Sequence, residues 1–260
     1  LVDRLITEES AMQVRDRFDD LFAGKFDTGI YPDEWHWREG LSFPHVAREI
    51  VNSWKSDTTI AKVALSESIG YLVADLMGWA TGTRMGQDDA LWKPPGAGGV
   101  GWHQDAAYIS DQFVPLDNNS VTVWIALDDA YEETGVVQYA KGSHVWSAEG
   151  GALHNVAESS FHGSEDLQAS VKDAAAKCGE TLDISSVAVP IGSAIVHHQN
   201  VWHGSAPNVS RMRPRRALAL HLLRKDVMFR PDPKPDYIYG RYQIGDSQHV
   251  EDAFFPVLYS

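Results

Sequence analysis

Cysteine is almost absent from the 260-residue chain, which has a single one, Cys178. One thiol excludes an internal disulfide and a zinc site built from several cysteines. Long apolar runs are absent too: none approaches the roughly 18 residues that cross a bilayer, and no signal peptide is visible. We therefore predict a cytoplasmic protein without a membrane span. The chain begins at Leu1 rather than methionine, which leaves a longer N-terminus open.

Basic residues are scarce, with 22 Lys and Arg against 36 Asp and Glu and a net charge of −14. Proteins that hold nucleic acid through its phosphates need clustered Lys and Arg, so this balance argues against such a partner. Hydrophobic residues make up 43% and charged residues 22% of the chain, which is typical of a globular protein. The expected partner is a small-molecule substrate, and the oligomeric state stays open.

The first third of the chain has apolar residues at helical spacing. A first helix is predicted after Thr7, which caps it, and before Gly24, which ends it. A second helix is predicted over residues 42–54, opening with Ser-Phe-Pro, and a third over 66–77. We expect these helices to form a layer over about residues 1–80 that packs on one sheet.

After residue 80 the apolar residues form short runs rich in Val, Ile and aromatics, bounded by Gly, Pro and Asn. No helices alternate with these runs, so we predict a mainly β, antiparallel double-stranded β-helix (a cupin-like jelly-roll) over about residues 81–225. A Pro- and Tyr-rich tail, 226–260, is expected to wrap the surface, which makes 1–260 one domain. Two polar stretches, 110–120 and 148–179, are interpreted as insertions at the barrel mouth. The predicted strands are 121–127, 136–139, 181–189, 194–198 and 217–223.

Eleven histidines are present, and one lies in the sequence Gly-Trp-His-Gln-Asp. On a strand, the His-x-Asp spacing places His103 and Asp105 on the same side, where both can bind one ion. His203, in a turn after the strand that contains His197 and His198, is a candidate third ligand. Two histidines and one carboxylate form the facial set that binds ferrous iron. A surface His-Asp pair and a turn histidine bonded to backbone remain the alternatives.

Two arginines, Arg215 and Arg216, open the predicted strand that follows His203. Neighbouring strand residues face opposite sides, so one of them can enter the barrel and bind a dicarboxylate through two hydrogen bonds. Strand alternation alone leaves open which of the two faces inward. A solvated strand start is the alternative for either arginine.

These segments together resemble the phytanoyl-CoA dioxygenase family of iron(II)- and 2-oxoglutarate-dependent oxygenases. The resemblance covers about residues 84–223 and rests on GWHQD, VTVWIALDDA, GVVQYAKGSH, VWHGSAPN and PRRALALH in that order. It implies a jelly-roll oxygenase that uses Fe(II), 2-oxoglutarate and O2. By position, it makes His103, Asp105 and His203 the iron ligands. The 2-oxoglutarate contacts that it implies are Arg215, Trp124 and Gln87, with Lys93 a weaker candidate.

The reaction implied by the family is oxidation of a small organic molecule, either hydroxylation or radical cyclisation or epimerisation. We expect a hydrophobic natural product, as in a tailoring step of bacterial polyketide antibiotic biosynthesis. The segments 106–120 and 148–179 are predicted to grip it, with Tyr108 and Phe113 as contacts. Trp35 and Trp37 are a second possibility for the substrate mouth, against core packing.

Competing interpretations need residues that the sequence lacks. The usual cupin signature contains His-x-His, zinc hydrolases of one large class contain His-Glu-x-x-His, and neither occurs here. Iron halogenases of this fold replace the carboxylate ligand with a small residue, whereas Asp105 is present. A non-catalytic cupin-like ligand-binding barrel and an acyl-CoA or lipid hydroxylase of the same family remain as alternatives.

Overall fold

The structure is a computed structural model, and it describes residues 1–109, 112–146, 166–231 and 238–260. Within this part, four of the five α-helices lie in residues 1–77 and the fifth lies in the second half. The helices are α1 (Glu8–Asp16), α2 (Phe18–Phe22), α3 (Thr58–Ala64), α4 (Glu67–Met77) and α5 (Ala169–Cys178). No helix of the described residues is both long and apolar enough to pass through a membrane.

The first and third predicted helices are confirmed, although the first is broken in two at Arg17. The Thr7 side chain accepts a hydrogen bond from the Ser10 amide and so satisfies a free N–H at the start of α1. At the other end of the layer, Gly78 has φ 66° and closes α4 in a left-handed conformation that glycine adopts without strain.

The second predicted helix, 42–54, is wrong, because its apolar residues belong to different elements. Residues Arg48–Val51 form strand β2, after a short β1 (Glu34–Trp35), and Trp54 lies in a 3₁₀ turn. Ile50 and Val51 are β-branched and point to opposite faces of the sheet, and β-branched residues pack well on a pleated surface.

Two antiparallel sheets form the jelly-roll, as predicted. Besides β1 and β2, the larger sheet contains β3 (Thr83–Lys93), β6 (Ser120–Ala126), β9 (Ala194–His198), β11 (Arg215–Arg224) and β13 (Val257–Tyr259). The smaller sheet consists of β4 (Val100–His103), β7 (Val137–Ala140), β8 (Ile184–Ser186) and β10 (His203–Ser205). The larger sheet has the order β1-β2-β3-β11-β6-β9, with β13 also paired to β3, and the smaller sheet has the order β4-β10-β7-β8. A separate ribbon pairs β5 (Phe113–Val114) with β12 (Met228–Phe229).

The register of the larger sheet separates its two faces. Ile50, Ala90 and Leu218 are directly opposite one another, so they share one face, and all three belong to the core formed with the helices. The next row, Leu91 and Ala217, points to the other side, between the two sheets. We call this second side the inner face.

The sequence predicted a tail that wraps the surface, but the tail also contributes to the interior. Tyr239 and Phe255 are 1% exposed and pack with the β5–β12 ribbon, and β13 joins the edge of β3. Aromatic residues of the tail therefore complete a second hydrophobic core. Of the second predicted insertion, 148–179, residues up to 165 lie outside the described part of the chain, and the rest contains α5.

Candidate metal and cosubstrate site

His103 and His203 face each other across the smaller sheet. Their Cα atoms are direct partners in the pairing of β4 with β10, and their ring centroids are 4.2 Å apart. His103 ends β4 and His203 begins β10, so both side chains lie at one end of the sheet. The strand pairing thus brings together two residues that are 100 positions apart in sequence.

Each imidazole is held by a backbone carbonyl. His103 Nδ1 is 2.8 Å from the Gly101 carbonyl oxygen, and His203 Nδ1 is 3.1 Å from that of Val201. With Nδ1 donating, the lone pair is left on Nε2, which is the usual arrangement of a metal-binding histidine. Burial lowers the pKa of His103 to about 3 and of His203 to about 4, so both rings are neutral at pH 7.

The sequence analysis placed Asp105 on the same strand as His103, but Asp105 instead starts a 3₁₀ turn, Asp105–Ala107. The site still forms because Gln104 remains extended, at φ −123° and ψ 135°, before the chain turns. Asp105 Oδ1 lies 3.8 Å from His103 Nε2 and 3.6 Å from His203 Nε2. The ligand atoms of these three residues all lie within 4.8 Å of one another, close enough to hold one metal ion.

The other oxygen of Asp105 contacts the larger sheet. Thr122 Oγ1 donates to Oδ2, and His197 Nε2 and His221 Nδ1 lie 3.3 and 3.6 Å from it. Burial disfavours the charged carboxylate, but the nearby histidines, His203 foremost, hold the pKa of Asp105 well below its usual value. Asp105 is therefore a carboxylate at neutral pH, fixed in direction by neighbours on both sheets.

At the far end of the inner face, Arg215 is 4% exposed and has no carboxylate partner among the described residues. One guanidinium nitrogen donates to the Gly135 carbonyl oxygen at 3.0 Å, while Nε has no hydrogen-bond partner in the described part of the chain. The guanidinium lies 5.3 Å from the ring centre of Trp124, whose indole nitrogen also lacks a described partner. Burial lowers the pKa of Arg215 to about 10, so it remains charged.

Lys93 lies opposite Arg215 in the pairing of β3 with β11. Its Nζ donates to Ser205 Oγ and to the Ala206 carbonyl oxygen, both at 2.7 Å. Burial, and then the charge of Arg215, lower the pKa of Lys93 to about 6, so the amine is largely neutral at pH 7. A buried charged guanidinium beside a basic amine, both without a carboxylate partner in the described chain, favours a bound anion at this end of the barrel.

Small side chains separate this cationic end from the metal ligands. Along the inner face of β11, Ala217 and Ala219 lie between Arg215 and His221, and Ala126 is the partner of Ala217 on β6. Donors without a partner in the described chain lie at one end, metal ligands at the other and alanines between them, an arrangement that fits a dicarboxylate such as 2-oxoglutarate.

Two further predicted residues, Gln87 and Phe113, have different surroundings. Gln87 lies on the inner face opposite His221 and donates its amide to Asp89, at 2.9 and 3.1 Å, and its contact with 2-oxoglutarate stays a prediction. Phe113 is fully buried against Phe229, with ring centroids 5.2 Å apart, a position that does not fit the predicted contact with substrate.

The remaining predicted residues are at the site or in the core. Tyr108 donates its hydroxyl to Asp105 Oδ1 at 2.9 Å, beside the metal ligands. Trp35 and Trp37 pack with the helical layer instead of lining a mouth, and Arg216 pairs with Asp128 outside the inner face.

Sequence reasoning missed His221, Thr122 and Asp89. His221 Nε2 lies 2.8 Å from Asp89 Oδ2, and Thr122 Oγ1 lies 2.9 Å from His221 Nδ1. Burial disfavours the imidazolium, but Asp105 and Asp89 raise the pKa of His221 to about 9. The sequence held one signal for His221. Side chains alternate along a strand, so a strand that points Arg215 inward also points residues 217, 219 and 221 inward.

A family model for phytanoyl-CoA dioxygenase (PhyH) matches residues 1–217. The chain belongs to the phytanoyl-CoA dioxygenase family. The family predicted from the sequence motifs is therefore confirmed, and the match also includes the helical layer that those motifs did not cover.

One curated relative of this family member is a probable alpha-ketoglutarate-dependent hypophosphite dioxygenase from Stutzerimonas stutzeri. The two are 28% identical over 176 residues, which make up 65% of this chain and 54% of the relative. The chain thus spans about half the length of that protein.

Two solved structures are similar in fold. The non-heme alpha ketoglutarate dependent carbocyclase SnoK from nogalamycin biosynthesis has a TM-score of 0.73 and 21% identity, over 98% of this chain and 90% of SnoK. The epimerase SnoN, in complex with Fe3+, alpha ketoglutarate and nogalamycin RO, has a TM-score of 0.69 and 17% identity, over 99% of this chain and 92% of SnoN. The predicted jelly-roll fold is confirmed by both.

Proposed function

We propose that this member of the phytanoyl-CoA dioxygenase family is an Fe(II)-, 2-oxoglutarate- and O2-dependent oxygenase. The observation that carries the proposal is the arrangement of side chains between the two sheets. Three ligands of the facial type, His103, Asp105 and His203, lie at one end, and Arg215, whose Nε has no partner among the described residues, lies at the other. A barrel that merely bound an apolar ligand would not need a buried guanidinium aligned with a metal-ligand set.

In this proposal the Nε2 atoms of His103 and His203 and a carboxylate oxygen of Asp105 would hold Fe(II). Arg215 would hold the distal carboxylate of 2-oxoglutarate, with Lys93 and Trp124 as further donors. When bound, this centre would supply the oxidising power for removing a hydrogen atom from the substrate.

The chain's own residues orient and protect this centre. The Gly101 and Val201 carbonyl oxygens keep both imidazoles in the metal-binding tautomer. Thr122 fixes the direction of the Asp105 carboxylate, and Tyr108 contacts it from the side of segment 106–120. Burial of all three ligands excludes bulk water, which would otherwise compete for open metal positions.

The substrate in this proposal is a small organic molecule, and its oxidation is a hydroxylation, a radical cyclisation or an epimerisation. The structural relatives SnoK and SnoN are described as carbocyclase and epimerase, which supports a tailoring step in the biosynthesis of a natural product. We retain Tyr108 as a substrate-side contact, one domain over 1–260 and a cytoplasmic location as parts of the same proposal.

The test is the visible charge-transfer band that forms when Fe(II) and 2-oxoglutarate bind together without oxygen. The wild-type protein should show it, and His103→Ala and His203→Ala should not, because two protein ligands hold the metal poorly. His249→Ala is the matched control, since its side chain is 68% exposed in the tail. Absence of the band in the wild type, or a full band in either ligand variant, would overturn the proposal.

A further inference from the structure

A row of polar side chains crosses four strands of the larger sheet beside the metal ligands. Gln87 on β3, His221 on β11, Thr122 on β6 and His197 on β9 are successive partners in the strand pairing. Each of these four residues is at most 7% exposed. Asp89, two residues after Gln87, points to the same face and is 5% exposed. We call these five residues the polar row.

The polar row meets the metal ligand Asp105 at one of its two carboxylate oxygens. Thr122 Oγ1 donates to Asp105 Oδ2, and His197 Nε2 lies 3.3 Å from the same oxygen. The other oxygen, Oδ1, lies 3.8 Å from His103 Nε2 and 3.6 Å from His203 Nε2. One oxygen of Asp105 is therefore engaged by the larger sheet, while the other faces the histidine ligands.

The hydrogen bonds give each member of this chain one role. A carboxylate only accepts, so Thr122 gives its hydroxyl proton to Asp105 and in turn accepts from His221 Nδ1, 2.9 Å away. Asp89 accepts from His221 Nε2 at 2.8 Å. Gln87 Nε2 holds Asp89 at 2.9 Å. His221 thus donates from both ring nitrogens, and a single orientation of its ring serves Thr122 and Asp89 together.

Stability alone does not explain a buried polar network of this size. Replacing buried ionic groups by apolar residues of similar volume is often neutral or stabilising. Nearer to Arg215, the same face of β11 indeed presents Ala217 and Ala219. Partners that fix the direction of a metal-binding side chain are different, because losing one typically weakens metal binding by about 10–100-fold. The position of the polar row, against Asp105, fits this second role.

We propose that His221 is a positioning residue for the metal site and that Asp89 acts through it. Asp89 aligns the His221 ring, His221 aligns the Thr122 hydroxyl, and Thr122 holds Asp105 so that Oδ1 faces the metal position. The inference rests on the proposed metal-dependent function and deepens it by extending the site to β3. It also has a sharp consequence: the influence of Asp89 on metal binding requires His221.

The test measures binding of Co(II) alone, without 2-oxoglutarate, to the full chain freed of metal. Co(II) is the probe because its visible absorption reports the number and arrangement of its ligands. His221→Leu should weaken Co(II) binding by about tenfold or more. It should also change the visible spectrum of the bound ion, because Asp105 is no longer held in one direction. A loss of overall stability would not by itself change that spectrum.

Asp89→Asn keeps the shape of the side chain and removes the charge that holds the His221 ring. In the wild-type background it should weaken Co(II) binding by about threefold or more, as residues of one hydrogen-bond network are coupled. In the His221→Leu background it should have no further effect. If His221→Leu does not fold, His221→Gln replaces it, since Gln retains a donor for Asp89 and lacks the donor for Thr122.

Tyr242→Phe is the matched control, because it removes a hydroxyl donor from another buried carboxylate, Asp33, where the tail packs. It should lower the denaturant midpoint and leave the affinity and the spectrum of Co(II) unchanged. Wild-type affinity and spectrum in the His221 variant would overturn the inference. So would an effect of Asp89→Asn that is equal with and without His221.

Two results separate this inference from the proposed function. Co(II) binding by the wild type that His103→Ala abolishes supports the metal site, so an unchanged affinity in the His221 variant then contradicts the positioning role alone. Absence of Co(II) binding by the wild type contradicts the proposed function and this inference with it.

Discussion

At the scale of single residues, adjacent arginines at the start of β11 have different environments. Arg215 is buried on the inner face, whereas Arg216 pairs with Asp128, with Nε and Oδ2 2.8 Å apart and both side chains partly exposed. Arg215→Ala should weaken 2-oxoglutarate binding by about 2–5 kcal/mol, since a carboxylate would be left buried and unpaired. A 2-oxoglutarate titration of the charge-transfer band under anaerobic conditions measures this loss.

Arg216→Ala is the control, and its 2-oxoglutarate affinity should match that of the wild type. Loss of its partly exposed ion pair with Asp128 should change the free energy of unfolding by about 1 kcal/mol or less. If Arg216→Ala weakens 2-oxoglutarate binding and Arg215→Ala does not, the assignment of the inward-facing arginine is reversed.

Lys93 illustrates a conflict between binding and stability. Its pKa of about 6 lies below the ordinary 10.5, so between these values the unfolded chain holds a proton that the folded chain has released. The contribution of Lys93 to the free energy of unfolding therefore rises with pH across that window and is lowest below pH 6. Lys93→Met removes the cost of releasing this proton on folding, so the variant should be more stable than the wild type at pH 7. This difference in the free energy of unfolding should shrink by about 1.4 kcal/mol per pH unit toward pH 10.

Denaturant unfolding of Lys93→Met and wild type at several pH values, without metal or 2-oxoglutarate, measures this slope. The same variant should bind 2-oxoglutarate more weakly. A constant stability difference between pH 7 and 10 would show that the folded protein does not depress the pKa of Lys93.

Some of the site residues could be predicted from the sequence, and others could not. His103, Asp105, His203 and Arg215 stand in short motifs with unusual neighbours, and the structure brings all four to the space between the two sheets. Asp89 could not be predicted, because its contact with His221 joins residues 132 positions apart. Such a contact depends on strand register, which no local pattern in the sequence records.

At the scale of elements, strand β3 was not predicted, although it is among the longest. Its sequence contains Gly86, Gln87, Asp88 and Asp89 in succession, which is typical of a loop. Asp88 is fully buried and accepts from Ser53 and from the Trp54 backbone amide, so its polarity is satisfied by another element. A strand whose polar groups are satisfied by distant partners has no apolar alternation to reveal it.

Segment 106–120 contains two aromatic residues with separate roles. Phe113 is 0% exposed and packs against Phe229, Tyr239 and Phe255 in the second core. Phe113→Ala should therefore destabilise the protein by about 3–5 kcal/mol. Tyr108→Phe removes only the hydroxyl bond to Asp105 and should cost about 1 kcal/mol of stability, yet weaken iron binding.

Chemical denaturation and Fe(II) titration of the two variants distinguish these roles. Phe113→Leu is a useful control, since it keeps most of the apolar volume and should recover much of the stability. A Phe113→Ala protein as stable as the wild type would contradict its place in the core, and unchanged iron affinity in Tyr108→Phe would make its contact with Asp105 incidental.

At the scale of the whole molecule, the site lies between two sheets that contribute different parts of it. The smaller sheet ends in His103 and His203, and the larger carries Arg215 together with Thr122, His197 and His221, which contact Asp105. The metal ligands lie on the smaller sheet and on the turn that follows β4. A metal ion alone therefore leaves Arg215 unpaired, whereas 2-oxoglutarate, bound to both the metal and Arg215, would join the two sheets.

This arrangement predicts stepwise stabilisation by ligands. A ligand that binds only the folded protein stabilises it by about 2.7 kcal/mol at one hundred times its Kd. Anaerobic Fe(II) should raise the thermal unfolding midpoint, 2-oxoglutarate should raise it further only when Fe(II) is present, and chelation by EDTA should reverse both. In Arg215→Ala the increment from Fe(II) should remain while that from 2-oxoglutarate largely disappears. Equal stabilisation of wild type and Arg215→Ala by 2-oxoglutarate, measured by scanning calorimetry, would show that the cosubstrate does not join the sheets through this arginine.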